Sequence, residues 1–220
     1  MMQTSLLERK DPQRGWQFAV KQLLDYSCAV LGLICVSPVL IVTAILIRLN
    51  MGSPVLFRQV RPGKDARVFT LLKFRTMSEL RDDSGKLLVD DMRLTKLGQF
   101  LRKYSVDELP QLINVLRGEL SLVGPRPLLV KYLELYSRKQ SRRHAVMPGI
   151  SGLAQISGRN RLSWEERLEL DVWYVDHWSL WLDLKILLKT VVSLIRTEGI
   201  NSDGHATMPE FLGSKHGPRN

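Results

Sequence analysis

The chain has 220 residues, 45% of them hydrophobic and 25% charged, with a net charge of +10 and a pI near 9.9. These values suit one folded domain with its own core and exclude a disordered or collagen-like chain. The positive charge implies an anionic partner: nucleic acid, acidic lipid headgroups or a phosphorylated substrate.

Residues 1–15 are polar and mixed in charge, and read as an arm. Residues 26–47 contain no charged side chain, and that run is long enough to cross a bilayer as a helix. It lies too late and runs too long for a signal-peptide core. Pro38, preceded by Ser37, sits near its middle. Proline removes one helical hydrogen bond and bends the helix, and a serine hydroxyl can satisfy the freed carbonyl. Three readings follow: a kinked span, a re-entrant helix that turns back at Ser37–Pro38, or a buried helix of a soluble protein. Arg48, Arg58, Arg61, Lys64 and Arg67 after the segment outweigh Arg9, Lys10, Arg14 and Lys21 before it. Under either membrane reading the positive-inside rule then places the C-terminal body in the cytoplasm. Cys28 and Cys35 both fall in this stretch, as small apolar residues rather than a disulfide, and the four histidines have no zinc spacing.

Residues 55–60 and 67–74 are β-type runs separated by a Pro62-Gly63 turn, which predicts a hairpin. It leads into KFRTM (73–77), where Lys73 and Arg75 alternate around an aromatic, as suits bound phosphate or a solvated strand. Residues 80–91 read as a loop and 95–104 as a short helix bearing Arg102 and Lys103. Residues 128–146 read as one helix with Lys131, Arg138, Arg142 and Arg143 exposed. The glycine-rich stretch 148–160 reads as an ordered loop that ends near Arg159. Residues 164–196 read as helix with one break, first rich in tryptophan and then amphipathic, which favours a membrane interface. Residues 201–220 form a polar tail without regular structure.

The stretch 105–127, SVDELPQLINVLRGELSLVGPRP, carries the chemistry. Asp107 and Glu108 precede Pro110 and an apolar helical pattern that stops at Gly118. Proline in a first turn, and Ser105 with Glu108 at capping-box spacing, put both carboxylates at a helix N-terminus. Acids in a first turn are in most helices no more than caps. Here Arg126 follows, held between Pro125 and Pro127, and a guanidinium on a stiff loop suits phosphate oxygens. Paired acids opposed by an arginine point to phosphoryl chemistry with a divalent cation. Neither a Walker P-loop nor a GxGxxG fingerprint is present.

DELPQL (107–112), LSLVGPRP (120–127), KFRTM (73–77) and PGISGLAQISGRN (148–160) together resemble the bacterial sugar transferases, the monotopic phosphoglycosyl transferases. The resemblance covers roughly residues 15–200 and is closest to the small, catalytic-core form. It implies an α+β, mainly α fold: a re-entrant membrane helix at about 20–48 broken at Ser37 and Pro38, a small β-hairpin, and amphipathic interfacial helices around a cytoplasmic active site. It divides the chain into an arm (1–15), one transferase domain (16–200) and a tail (201–220).

The implied reaction moves a phospho-sugar from a UDP-sugar to polyprenyl phosphate, giving polyprenyl diphosphate-sugar and UMP, with Mg²⁺ required. Asp107 would be the nucleophile and Glu108 the Mg²⁺ ligand. Lys73, Arg75, Arg102, Arg126 and Arg159 would hold phosphate or substrate. The partners are UDP-sugar, polyprenyl phosphate and membrane phospholipid, with nucleic acid excluded and a homo-oligomer left open. The location is the bacterial inner membrane with the catalytic domain on its cytoplasmic face, and the product initiates glycoconjugate assembly. The tail resembles members that use N-acetylated amino sugars. The alternatives are a one-step transferase in which Asp107 only binds metal, and a non-catalytic basic protein bound to the membrane.

Overall fold

The computed structural model describes residues 13, 15–158, 162–196 and 210–213. The chain is mainly helical with two small sheets, as the sequence predicts. It opens with one long helix, α1 (Trp16–Met51). The hairpin follows as β1 (Leu56–Pro62) and β2 (Val68–Phe74), antiparallel, with Pro62 opposite Val68 and Leu56 opposite Phe74. Then come α2 (Asp90–Arg93), α3 (Lys96–Lys103) and α4 (Gln111–Leu116). Strand β3 (Ser121–Val123) pairs in parallel with β4 (Gly149–Ser151), and α5 (Arg138–Ser141) lies between them in sequence. The last elements are α6 (Leu153–Ser157), α7 (Trp164–Asp176) and α8 (Leu180–Arg196).

Helix α1 is long and apolar enough to cross a membrane. Val30, Leu31, Ile34, Ile41, Val42 and Ile45 are all exposed on it, which rules out the buried-helix reading. It is not interrupted at Ser37–Pro38. Pro38 leaves the carbonyl of Ile34 without its helical donor, and the Ser37 hydroxyl donates to that oxygen at 2.8 Å. One stripe faces the body along both halves. Ala29 packs with Phe69, Leu71, Val115 and Leu120, and Ile47 packs with Phe74 and Leu101. Both halves of the helix therefore adjoin the same folded body.

Asn114 locks α4 to the free edge of β2. Its side-chain oxygen accepts from Leu72 N–H at 3.0 Å, and its amide donates to Thr70 O at 2.8 Å. Helix α3 starts on a Thr95 cap and sits against residue 76, because Gly98 has no side chain: a Cβ there would lie 1.9 Å from Thr76 O. Strand β3 meets β4 with similar closeness, as a Cβ on Gly124 would lie 2.2 Å from Met147 O.

Three sequence readings need correction. No capping box forms at Ser105, which has a left-handed backbone and makes no cap hydrogen bond. Residues Val106–Glu108 form a separate 3₁₀ turn ahead of α4. Glu108 is drawn elsewhere by two cations, and the box instead forms at Ser163 and Glu166, at the start of α7. Residues 128–146 are not one helix but a 3₁₀ segment (Val130–Leu135), α5 and a second 3₁₀ segment (Arg142–Ala145). Ser137, extended and capping α5, interrupts the run. The stretch 148–160 is more regular than a loop, supplying β4 and α6.

In the tail, Phe211 is buried among Tyr132, Tyr136 and Trp164, and its N–H donates to Tyr132 Oη at 3.2 Å. The run 164–196 has one break, between α7 and α8, as the sequence predicts. Tyr174 is buried and Trp178 half-buried, whereas Trp181, Leu184, Leu188 and Val191 stand exposed along α8 at helical spacing.

Candidate active site

The 3₁₀ turn brings Asp107 and Glu108 to the floor of an open cleft of about 1390 Å³, also lined by Lys73, Arg102 and Arg126. The two neighbouring carboxylates have different surroundings. Glu108 accepts from Lys73 Nζ at 2.7 Å and from Arg126 through both guanidinium nitrogens, Nη1 lying 3.2 Å from Oε2. Burial by itself raises the Glu108 pKa, but Arg126 and then Lys73 overcome it and hold the carboxyl well below the usual carboxylate range. In return Glu108 raises the pKa of Arg126 against the cost of burial. Asp107 is only 7% exposed and accepts no hydrogen bond among the described residues. Burial first, and then the Glu108 charge, push its pKa up to about 6, against the pull of Lys73, Arg126 and Arg102.

The positive potential around the acids thus comes from side chains on three distant elements rather than from the end of the six-residue α4. Lys73 projects from β2. Arg102, in the last turn of α3, donates through Nε to Thr76 Oγ1 at 3.1 Å. Arg126 follows β3. Its backbone carbonyl accepts from Arg143 Nη2 at 2.7 Å, and Arg143 is itself paired with Asp171 at 2.7 Å. Arg143 is 3% exposed, so its sequence reading as an exposed charge is overturned. An RRH run within a basic stretch carries no signal that would separate a buried arginine from solvated ones.

The other predicted positions divide. Arg75 is buried, and its guanidinium donates to the carbonyls of Met51, Gly52 and Ser53, joining the end of α1 to β2. Arg159 lies outside the described residues. Arg61 and Arg167 also line the cleft, although no sequence motif marked them as site residues.

An ionised carboxylate with no hydrogen bond, set beside an anchored guanidinium and ammonium, is arranged to meet an electrophilic phosphorus whose oxygens need positive charge. A family model described as bacterial sugar transferase matches residues 16–197. The chain belongs to the bacterial sugar transferase family. It is 57% identical over 195 residues to the uncharacterized sugar transferase EpsL of Bacillus subtilis (strain 168), covering 89% of this chain and 96% of that protein. It is 43% identical over 190 residues to the UDP-glucose:undecaprenyl-phosphate glucose-1-phosphate transferase of Klebsiella pneumoniae, covering 82% of this chain but only 41% of that protein. The protein of the same description from Caulobacter vibrioides (strain ATCC 19089 / CIP 103742 / CB 15) is 41% identical over 188 residues, covering 81% of this chain and 70% of its own. As a sugar transferase the chain is an enzyme, and the cleft around Asp107 is its candidate active site.

Among the described residues no three His, Cys, Asp or Glu side chains gather to hold a metal. Magnesium does not require such a cage, because it is commonly held by one or two carboxylates together with substrate phosphates. Glu108 Oε2, which accepts only from Arg126, and the unengaged Asp107 carboxylate both fit that role.

Proposed function

We propose that this transferase moves a phospho-sugar from a UDP-sugar to polyprenyl phosphate through a covalent intermediate on Asp107. The observation that carries this reading is the contrast between Glu108, clamped by Lys73 and Arg126, and Asp107, buried with no hydrogen bond. An Asp oxygen attacks the β-phosphorus of the UDP-sugar. The Asp–O–P bond forms, the bond to the bridging oxygen breaks, and UMP leaves with that electron pair. A polyprenyl phosphate oxygen then attacks the same phosphorus and releases the Asp107 carboxylate, giving polyprenyl diphosphate-sugar.

Lys73 and Arg126 act twice: they hold Glu108 and present cationic donors to the phosphate oxygens. Arg102 presents a third from α3, and Arg159 is assigned the same role by its motif. Arg75 serves the loop that joins α1 to the hairpin. Magnesium, held by Glu108 with Asp107 and the substrate phosphates, would supply further neutralisation of developing charge.

The Klebsiella pneumoniae and Caulobacter vibrioides relatives are named for UDP-glucose and undecaprenyl phosphate. For this chain we propose a UDP-sugar and a polyprenyl phosphate, in the initiating step of bacterial glycoconjugate assembly. Supporting a membrane site for the lipid, α1 exposes a broad apolar surface and α8 an apolar stripe headed by Trp181. The placement we propose is re-entrant, at the cytoplasmic face of the inner membrane, with both halves of α1 held to the body.

The test is incubation with a panel of UDP-sugars and no lipid. UMP release with a phospho-sugar adduct on Asp107 by mass spectrometry, and ping-pong kinetics once polyprenyl phosphate is added, are expected. Strictly sequential kinetics without an adduct would replace this with the one-step reaction, and absence of any UMP with or without lipid would remove the transferase assignment.

A further inference from the structure

We propose that Arg61 is a second phosphate-binding residue of the cleft, forming with Arg126 a two-guanidinium seat for a substrate phosphate other than the one Asp107 attacks. This rests on the phosphoryl-transfer reading above and adds a residue to it.

The hairpin register supplies the placement. Phe57 stands opposite Lys73, Gln59 opposite Leu71 and Arg61 opposite Phe69. Side chains directly opposite one another share a face of the sheet, and alternate residues along a strand share it too. Lys73 and Arg61 therefore project from the same face of the hairpin, separated by four positions or roughly 13 Å along the strand. Both line the cleft together with Arg126. The Arg126 charge is felt at both ends of the row, lowering the Arg61 pKa to about 10 together with the larger effect of burial, and disfavouring the charged form of Lys73 as well. Glu108 neutralises the Lys73 end, and among the described residues no carboxylate pairs with Arg61.

Arg61, like Arg81 and Arg102, lines the cleft without an ion pair among the described residues. Lys73 and Arg126 meet Glu108, Arg143 meets Asp171, and Lys131 meets Glu210. Arg61 makes no ion pair among the described residues. One terminal nitrogen donates to Gln59 Oε1, and its Nε is buried without a hydrogen-bond partner. Arg75 also has a buried Nε without a hydrogen-bond partner, but its terminal nitrogens are engaged on the backbone. Arg75 caps three backbone carbonyls and Arg143 grips both Asp171 and the Arg126 carbonyl. Arg61 has no such backbone contact. A partly buried guanidinium without an ion pair, lining the same cleft as a second guanidinium, is stabilised by an oxyanion that accepts from the terminal nitrogens of both. The ligand chemistry is a phosphate with two accessible oxygens. Two substrates carry one: the nucleotide half of the UDP-sugar and the polyprenyl phosphate.

The experiment uses the full chain in lipid nanodiscs, with Arg61→Gln and Arg61→Lys beside wild type. UDP affinity is measured by calorimetry, UMP release from UDP-sugar alone reports the first half, and KM for polyprenyl phosphate reports the second. Arg61→Gln is expected to lose about 10- to 100-fold in one of these, the size of one charged hydrogen-bonding partner, with partial recovery in Arg61→Lys. Its ligand-free Tm should equal or exceed that of wild type, because a partly buried cation without an ion pair is removed. Weaker UDP binding assigns the seat to the nucleotide phosphate. Unchanged UDP affinity and UMP release with a raised lipid KM assigns it to the lipid phosphate. UDP affinity and lipid KM both within twofold of wild type would overturn the proposal, as would a lowered ligand-free Tm in both variants, which marks a structural residue. Failure of wild type to release UMP counts against the transferase reading separately, since UDP affinity is read without turnover.

Discussion

Lys21 and Asp183, 162 positions apart, form a buried ion pair with Nζ 2.7 Å from Oδ2. The same ammonium donates to Val123 O at 3.1 Å, and Asp183 also accepts from Tyr174 Oη at 2.6 Å and Trp178 Nε1 at 3.2 Å. The cluster fastens the first turns of α1 to α7, to α8 and to the end of β3, the strand that leads into the Arg126 loop. Lys21→Met would leave Asp183 buried without its cation, a loss of about 3–5 kcal/mol. The expected Tm decrease in detergent is more than about 6 °C for a chain of this size. A change near zero would show that the cluster does not hold α1 in place.

Asp107→Asn is expected to abolish turnover and to stabilise the protein. The folded pKa of about 6 lies above the ordinary value of 3.8, so the ionised carboxylate opposes folding above pH 6. That penalty is relieved as pH falls from about 6 towards 3.8. The variant should therefore exceed wild type in Tm by a few degrees at pH 8, about 1–3 kcal/mol. The advantage should shrink towards pH 4.5. Thermal scans at the two pH values check both sign and trend.

The same ionisation sets the acid limb of the first half-reaction, since only the carboxylate is a nucleophile. UMP release should fall about tenfold per pH unit below pH 6. Glu108→Gln removes a negative charge that raises the Asp107 pKa, so the limb should move to lower pH. The rate on the plateau should fall at least about 100-fold, because Arg126 and Lys73 lose the carboxylate that anchors them. A pH–rate profile displaced upward would contradict this account of the pair.

Ser37 and Pro38 act together on one carbonyl, that of Ile34. Replacing both with alanine restores the backbone donor at position 38 and is expected to straighten α1, moving the N-terminus towards the periplasm. A cysteine introduced at Gln3, with Cys28 and Cys35 changed to serine, reports this through a membrane-impermeant thiol reagent on intact cells. The protein with Ser37 and Pro38 intact should stay unlabelled and the double variant should label. Strong labelling in both would favour a true span.

Much of the scaffold was legible because it rests on local chemistry. The hairpin follows from a Pro-Gly turn between two β-type runs, and α1 from a long stretch without charge. The capping-box pattern shows where local reading ends. Ser105 and Ser163 each stand three residues before a glutamate, and only Ser163 forms the box. Nothing local distinguishes them. Glu108 is claimed by Lys73, 35 positions away, and by Arg126, 18 positions away.

By itself the sequence determined that two acids and several cations accompany one long apolar helix, and it pointed to phosphoryl chemistry, because residue type and order carry that signal. Only the tertiary structure decided which acid is neutralised, which arginine supports the backbone and which is left facing the cleft. Burial and charge compensation depend on side chains that the chain brings together across the hairpin, α4 and the β3 loop. The pKa values of Asp107 and Glu108, adjacent in sequence, are therefore shifted in opposite directions, upward by burial and downward by Arg126 and Lys73.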